Sequence, residues 1–303
     1  MIQYEAARDE NLFKSDPRLY IEKVIKEYVA TSPINRLTAF NNAPMWGEPT
    51  VVFADGDDPI FNSSKMVIDP FHMTPREVLE KHIRAKHFQY GVKEHPDHVC
   101  VVSYTLPIPL ETRLVERDSP YGGSARINNM RWLGENFWRN LENYLCALLE
   151  VRGFSAVDPA RSLFFERKET SAGTKVNWSE RHIAYCSGLG TFGLNGLLIT
   201  PNGCATFIES IVCDLPLRPT GRPYHDHNSY CLFYQSGSCR KCIERCQCGA
   251  ISEKGRDILI CREHLRRTQP ETIKKAGLDH GYVGMGPTCG RCMTGVPCEE
   301  RIP

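Results

Sequence analysis

Apolar positions recur at helical spacing in several stretches and run almost unbroken in others, so the chain reads as helices mixed with strands. Ser15-Asp16-Pro17 opens a first helix with proline in its first turn, and Ile21, Val24, Ile25, Tyr28 and Val29 then share one face. Thr74-Pro75-Arg76-Glu77 is a capping-box start for a second helix, to about His87. After a Gly/Ser-rich turn at Tyr121–Ala125, Met130, Leu133, Phe137, Leu141, Leu145 and Leu148 mark a long helix that should stop at Gly153. Trp178–Cys186 predicts another, with Ser179 as its cap. Pro49–Ala54, His98–Thr105, Leu197–Thr200 and Ala205–Asp214 predict strands. Without a regular strand–helix–strand rhythm, the expected fold class is a layered α+β structure rather than a doubly wound sheet.

The 303 residues, 41% hydrophobic and 24% charged, can bury a real core and suggest about two domains. Lys+Arg 37 against Asp+Glu 36 gives no global field for gripping a phosphate backbone or an anionic membrane. No apolar run reaches the roughly 20 residues of a membrane span, and Met1–Ser15 lacks a basic start followed by an apolar stretch. A cytoplasmic location is expected.

Cysteine usage changes the picture. Of 14 cysteines, Cys100, Cys146, Cys186, Cys204, Cys213 and Cys231 are scattered, and eight crowd into residues 239–303. In a reducing compartment such density reads as metal ligation rather than disulfides. The eight are Cys239, Cys242, Cys246, Cys248, Cys261, Cys289, Cys292 and Cys298, the number that two 4Fe–4S clusters require. The Cys-x3-Cys step followed by Ala250-Ile251 resembles the bacterial ferredoxin run. Two departures stand out: Gln247 replaces the usual proline, and Ser236 sits where the first cysteine is expected. Two partitions follow. If Cys246 crosses between groups, it joins Cys261, Cys289 and Cys292, and Cys239, Cys242 and Cys298 need a fourth ligand from Cys248 or Cys231. If Cys248 crosses, Cys239, Cys242, Cys246 and Cys298 form one set and Cys248, Cys261, Cys289 and Cys292 the other; this uses all eight and is the expectation carried forward. Paired zinc sites are the alternative, although a zinc ribbon repeats Cys-x2-Cys more evenly. The scattered cysteines read as small buried apolar residues.

Gly188-Leu189-Gly190-Thr191-Phe192-Gly193 matches a dinucleotide fingerprint, but a helix precedes it and a strand follows, the reverse of what that fingerprint needs. The stretch from Gly188 through Asn195, Leu198, Thr200 and Pro201 to Asp214-Leu215-Pro216-Leu217, leading into the cysteine run, resembles cobalamin-dependent epoxyqueuosine reductases and reductive dehalogenases over residues 178–301. That resemblance implies a nitroreductase-like domain, residues 1–217, able to hold a base-off cobalamin, and a ferredoxin-type domain, residues 218–303, with two 4Fe–4S clusters. Gly188, Gly190, Gly193, Asn195, Leu198 and Thr200 would line the corrinoid. Cobalt would then remove oxygen or halogen from a small-molecule substrate as a side chain donates a proton. No proton donor is assigned: the stretch at Tyr121–Met130 has Arg126, Asn128 and Asn129 but no aspartate, and none of the 12 tyrosines registers with the family's tyrosine. With the chain ending at Pro303 and no twin-arginine leader, the expectation is a cytoplasmic relative with another substrate, no membrane and no part for nucleic acid.

Lesser signals have plainer readings. Tyr224-His225-Asp226-His227 is a solvated turn before it is a metal site, and Asp55, Asp57 and Asp58 form an acidic loop. Arg262, His264, Arg266, Arg267, Lys274 and Lys275 offer either a docking face for ferredoxin or flavodoxin as electron donor or a solvated helix face. The leading reading is an iron–sulfur and cobalamin reductase. An iron–sulfur electron carrier without cobalamin is the alternative, and a zinc-stabilised binding module a third.

Overall fold

The computed structural model describes residues 5–90, 95–120, 122–171, 173–275 and 288–303. Strands β1 (Val51–Asp55), β2 (Cys100–Pro107), β3 (Ala156–Val157) and β4 (Thr206–Cys213) form one sheet in the order β1-β2-β4-β3, every pair antiparallel. The layered mixture of helix and sheet read from the pattern is thus present, without a parallel core.

Alternation along β2 divides the interior. Cys100, Val102, Tyr104 and Leu106 face helices α1 (Pro17–Thr31) and α4 (Ala125–Glu150), meeting Tyr20, Ile25, Phe137 and Leu141. Val99 and Val101 face the other side, with α2 (Pro75–Tyr90) and α5 (Glu180–Cys186) supplying Val78, Leu79 and Ile183. Both faces of the sheet are therefore covered. Helix α1 begins as its sequence dictates, the Asp16 carboxylate accepting from the Leu19 N–H at 3.0 Å. The capping box of α2 closes reciprocally, Thr74 N–H donating to Glu77 at 2.7 Å and Glu77 N–H to the Thr74 hydroxyl at 3.3 Å. Ser179 does not cap α5 with its side chain: its hydroxyl pairs with His182 Nδ1 at 2.8 Å, and its N–H donates to His72 Nε2 at 3.1 Å.

Several helices escaped the pattern, two of them of eight residues or more. Helix α3 (Leu110–Arg117) buries Thr112, Arg113 and Glu116 while Leu110 is 53% exposed, and α6 (Ile258–Lys275) follows the cysteine run. The first of these inversions has a cause. The buried face of α3 meets the backbone and charges of residues 288–303, which return from the cysteine segment to the front layer.

The predicted linker 216–238 is a strap. Residues 219–231 lie over the glycine loop, Phe192 N–H donating to His227 O at 2.6 Å and Tyr230 N–H to the Thr191 hydroxyl at 2.9 Å. Cys231, Ile251, Met293 and Val296 belong to the same apolar cluster as Tyr20 and Phe137, so the core runs continuously into the cysteine segment. Among the described residues no helix is long and apolar enough to cross a membrane.

Candidate functional site

Two cavities gather the cysteines. The first, of about 20 Å³, is lined by Cys231, Cys239, Cys242 and Cys298 against an apolar wall that includes Leu194, Ile199, Phe233 and Val296. The second, of about 30 Å³, is lined by Cys246, Cys248, Cys261, Cys289 and Cys292, with Arg256, His264 and Arg291 beside them. All eight cysteines singled out from the sequence lie on one cavity or the other, and Cys231 joins them.

Short elements deliver these thiols. Cys231 is the N-cap of a helix over Leu232–Ser236, and Gly237, left-handed at φ +67, ends it and turns the chain back so that Cys239 faces the same cavity. A second short helix, Lys241–Arg245, carries Cys242 in its first turn; Cys246 lies beyond its last residue, where the backbone becomes extended, and lines the second cavity. The partition carried forward from the sequence grouped Cys246 with Cys239, Cys242 and Cys298. In this structure the chain leaves the helix between Cys242 and Cys246, and the two thiols line different cavities. Cys248 follows Cys246 into the second cavity, their sulfurs 3.8 Å apart.

The segment 288–303 is clamped at both ends. The buried Glu116 carboxylate accepts N–H groups of Gly290 at 2.6 Å and Ser124 at 2.7 Å, and Asn128 accepts the Thr288 N–H at 3.0 Å. A Cβ at Gly123 would collide with the Thr288 carbonyl, which is why glycine stands there. At the other end Glu299 is buried between Arg113 and Arg117, each at 2.8 Å, and Cys204 N–H donates to Cys298 O at 2.8 Å. Gln247, in place of the usual proline, bonds the backbone of Ser119, Pro120 and Gly122. Glu116 and Glu299 were not singled out from the sequence, and Gln247 and Asn128 were named there for other reasons than these bonds.

Burial pushes the cavity-facing thiols up: Cys242 to about 12 and Cys292 to about 11, with Cys289 and Cys248 also raised. Cys298 moves down through the hydrogen bond it shares with the Cys204 thiol 3.6 Å away. Arg256 Nη2 donates to Cys261 Sγ at 3.0 Å. Raised thiols hold their protons until a metal displaces them.

Four thiols on one cavity and five on the other are a donor set that fits two four-cysteine centres, 4Fe–4S clusters or zinc. A zinc ion, with Zn–S near 2.3 Å, draws its sulfurs to roughly 3.8 Å from one another. Cys246 and Cys248 are that close, yet among the described residues no group of three or more ligating side chains converges to hold a single ion.

The glycine loop has a different geometry from the one expected. Gly188, Gly190, Gly193, Asn195, Leu198 and Thr200 are all buried. A Cβ at Gly188 would strike the Gly221 carbonyl of the strap, and one at Gly190 the Ile199 carbonyl, so both glycines answer to the chain's own close approach. Asn195 Nδ2 donates to Cys292 O at 2.8 Å, and its Oδ1 accepts the Leu197 N–H at 3.1 Å. Thr200 bonds the Gly203 carbonyl. In this conformation all six are packed by the chain itself, and Gly193 and Asn195 also line the first cavity.

Other candidates resolve simply. His225, Asp226 and His227 are exposed. Asp57 pairs with Arg76 and Asp58 with Arg222 at 2.7 Å. Arg262 bonds the Thr174 hydroxyl and Arg266 pairs with Glu263 at 2.8 Å, while Tyr121 and the side chains of Lys274 and Lys275 lie outside what is described.

No model of a known family matches the chain, and no curated protein matches it in sequence. Among solved structures, similarity extends to an epoxyqueuosine reductase with a tRNA-Tyr epoxyqueuosine-modified stem loop, at 16% identity and TM-score 0.40, over 93% of this chain and 66% of that one. An epoxyqueuosine reductase from Bacillus subtilis is 19% identical with TM-score 0.36, over 85% of this chain and 65% of that one. A reductive dehalogenase, described for B12-dependent dehalogenation, is 17% identical with TM-score 0.43, over 80% of this chain and 29% of that one. These are the two kinds of protein that residues 178–301 resemble. The chain spans about two thirds of the reductases' length. The tRNA stem loop is bound by that other protein.

Proposed function

We propose that the chain is a two-cluster iron–sulfur oxidoreductase, a reductase in kind, acting on a small molecule that is not identified. The observation that carries this reading is the pair of cavities, each walled by at least four unpaired thiols drawn from separate segments. Cys246, Cys261, Cys289 and Cys292 would hold one 4Fe–4S cluster; Cys239, Cys242 and Cys298 would hold most of the other. Bound clusters supply single-electron transfer. The chain's own part is to exclude water from the apolar first cavity, to set Arg256 against Cys261, and to fix both ends of the segment 288–303 through Glu116 and Glu299. The exposed side of α6 around Arg266 and Arg267 is where an acidic electron donor of the ferredoxin or flavodoxin kind would dock.

Base-off cobalamin belongs to the resemblance alone. The close packing of the strap on the glycine loop favours a second reading, an iron–sulfur electron carrier without corrinoid. Anaerobic purification and reconstitution test the shared part: about eight irons and as many sulfides per chain are expected, and a colourless, iron-free protein overturns it. Titration with cob(II)alamin then separates the two readings. A changed cobalt spectrum restores the corrinoid reductase, and an unchanged one leaves the carrier.

A further inference from the structure

The cysteine run supplies the first cavity with three thiols, and a cubane needs four. Ser236 stands where the run would place the missing one, but it is exposed, and its hydroxyl is engaged with Leu232 O at 3.0 Å and Ser238 Oγ at 2.7 Å. Cys248 lines the other cavity. Cys204 touches Cys298 from behind, its thiol 3.6 Å from that sulfur and 3.8 Å from the Met293 carbonyl, and is not among the residues of the cavity wall.

We infer that Cys231, outside the ferredoxin-like run, is the fourth thiolate of the first cluster, completing a set with Cys239, Cys242 and Cys298. Cys231 lies on the wall of that cavity together with those three cysteines. The five-residue helix between Cys231 and Cys239 is about 7.5 Å long, enough to set the two thiols at different corners of one cavity rather than side by side. The glycine loop gains a role from this. Thr191 and Phe192 hold Tyr230 and Asn228 of the strap, and Asn228 O accepts the Cys231 N–H at 3.0 Å, so the loop is a brace for this thiol.

This inference rests on the iron–sulfur reading, and its test keeps the two apart. Wild-type chain, Cys231→Ala, Cys231→Ser and Cys204→Ala are reconstituted anaerobically and compared by iron content and low-temperature electron paramagnetic resonance. If the wild type holds no iron, the iron–sulfur reading itself fails and takes the inference with it. If the wild type holds about eight irons, Cys231→Ala is expected to lose one whole cluster or one corner iron with a three-iron signal, the second cluster's signal persisting. Cys231→Ser, whose oxygen can still ligate, is expected to keep its iron with a shifted signal, which covers the case in which the alanine variant fails to fold. Cys204→Ala is expected to match the wild type. Iron and spectra unchanged in both Cys231 variants, or a cluster lost from Cys204→Ala alone, overturn the assignment.

Discussion

The two cavities are alike in donors and unlike in surroundings. One is walled by leucine, isoleucine, phenylalanine and valine; the other has Arg256, His264 and Arg291 on its wall and a guanidinium hydrogen bond to Cys261. A reduced cluster carries one more negative charge than an oxidised one. Nearby cations and N–H···S bonds therefore stabilise reduction, whereas apolar burial opposes it. The same four-thiol chemistry should give two separate potentials, the second cavity taking its electron first.

The largest expected break in this comparison comes from the thiols themselves. Cys246→Ala should empty the second cavity and remove about half the iron, whereas Cys248→Ala should keep all of it; iron analysis of the two variants decides which is the ligand. Next, Glu299→Ala removes the buried carboxylate between Arg113 and Arg117 and leaves Arg113 with Glu300 alone, a loss of roughly 2 kcal/mol in urea unfolding of the metal-free chain. Its effect on metal uptake should fall on the first cluster, because Glu299 adjoins Cys298. Arg256→Gln should lower the potential of the second cluster alone and narrow the gap, as read by a potentiometric titration. An unchanged gap would show that the apolar wall, not the cation, separates the two.

The smallest effect is a control. In the front layer Arg161 is shared by Glu142, Asp158 and Glu209, and burial raises the carboxyls of Glu142, Glu180 and Glu209 above their ordinary 4.5. A raised folded value stabilises the protein fully below pH 4.5 and loses that contribution as pH rises through it. Glu142→Gln should make the fall of stability toward alkaline pH shallower in thermal unfolding at several pH values, with both potentials unmoved.

Much of the architecture was legible because its signals are local. Asp16-Pro17 and Thr74-x2-Glu77 cap their helices with the bonds their sequences imply, and the alternation of β2 separates two apolar layers as period-2 patterning requires. What was missed depends on distant partners. Helix α3 shows its apolar side to water because Arg113 and Glu116 are needed by residues 290 and 299, which no window around residue 113 contains. The cysteine spacing pointed to two groups of thiols but not to their membership: counting divided eight residues of the run, while the fold turns the chain between Cys242 and Cys246 and sets Cys231 on the wall of the first cavity. Gly188 and Gly190 announced a close approach, and only the strap says to what.

The thiol sets are nested along the chain, with Cys246, Cys261, Cys289 and Cys292 all lying between Cys242 and Cys298. Closing the inner ring first shortens the loop left to be closed by the outer one, whereas the reverse order gains less from the longer span. Cofactor insertion would then have a built-in hierarchy, loading from the inside outwards, and the outermost thiols would seal last, over a centre already in place.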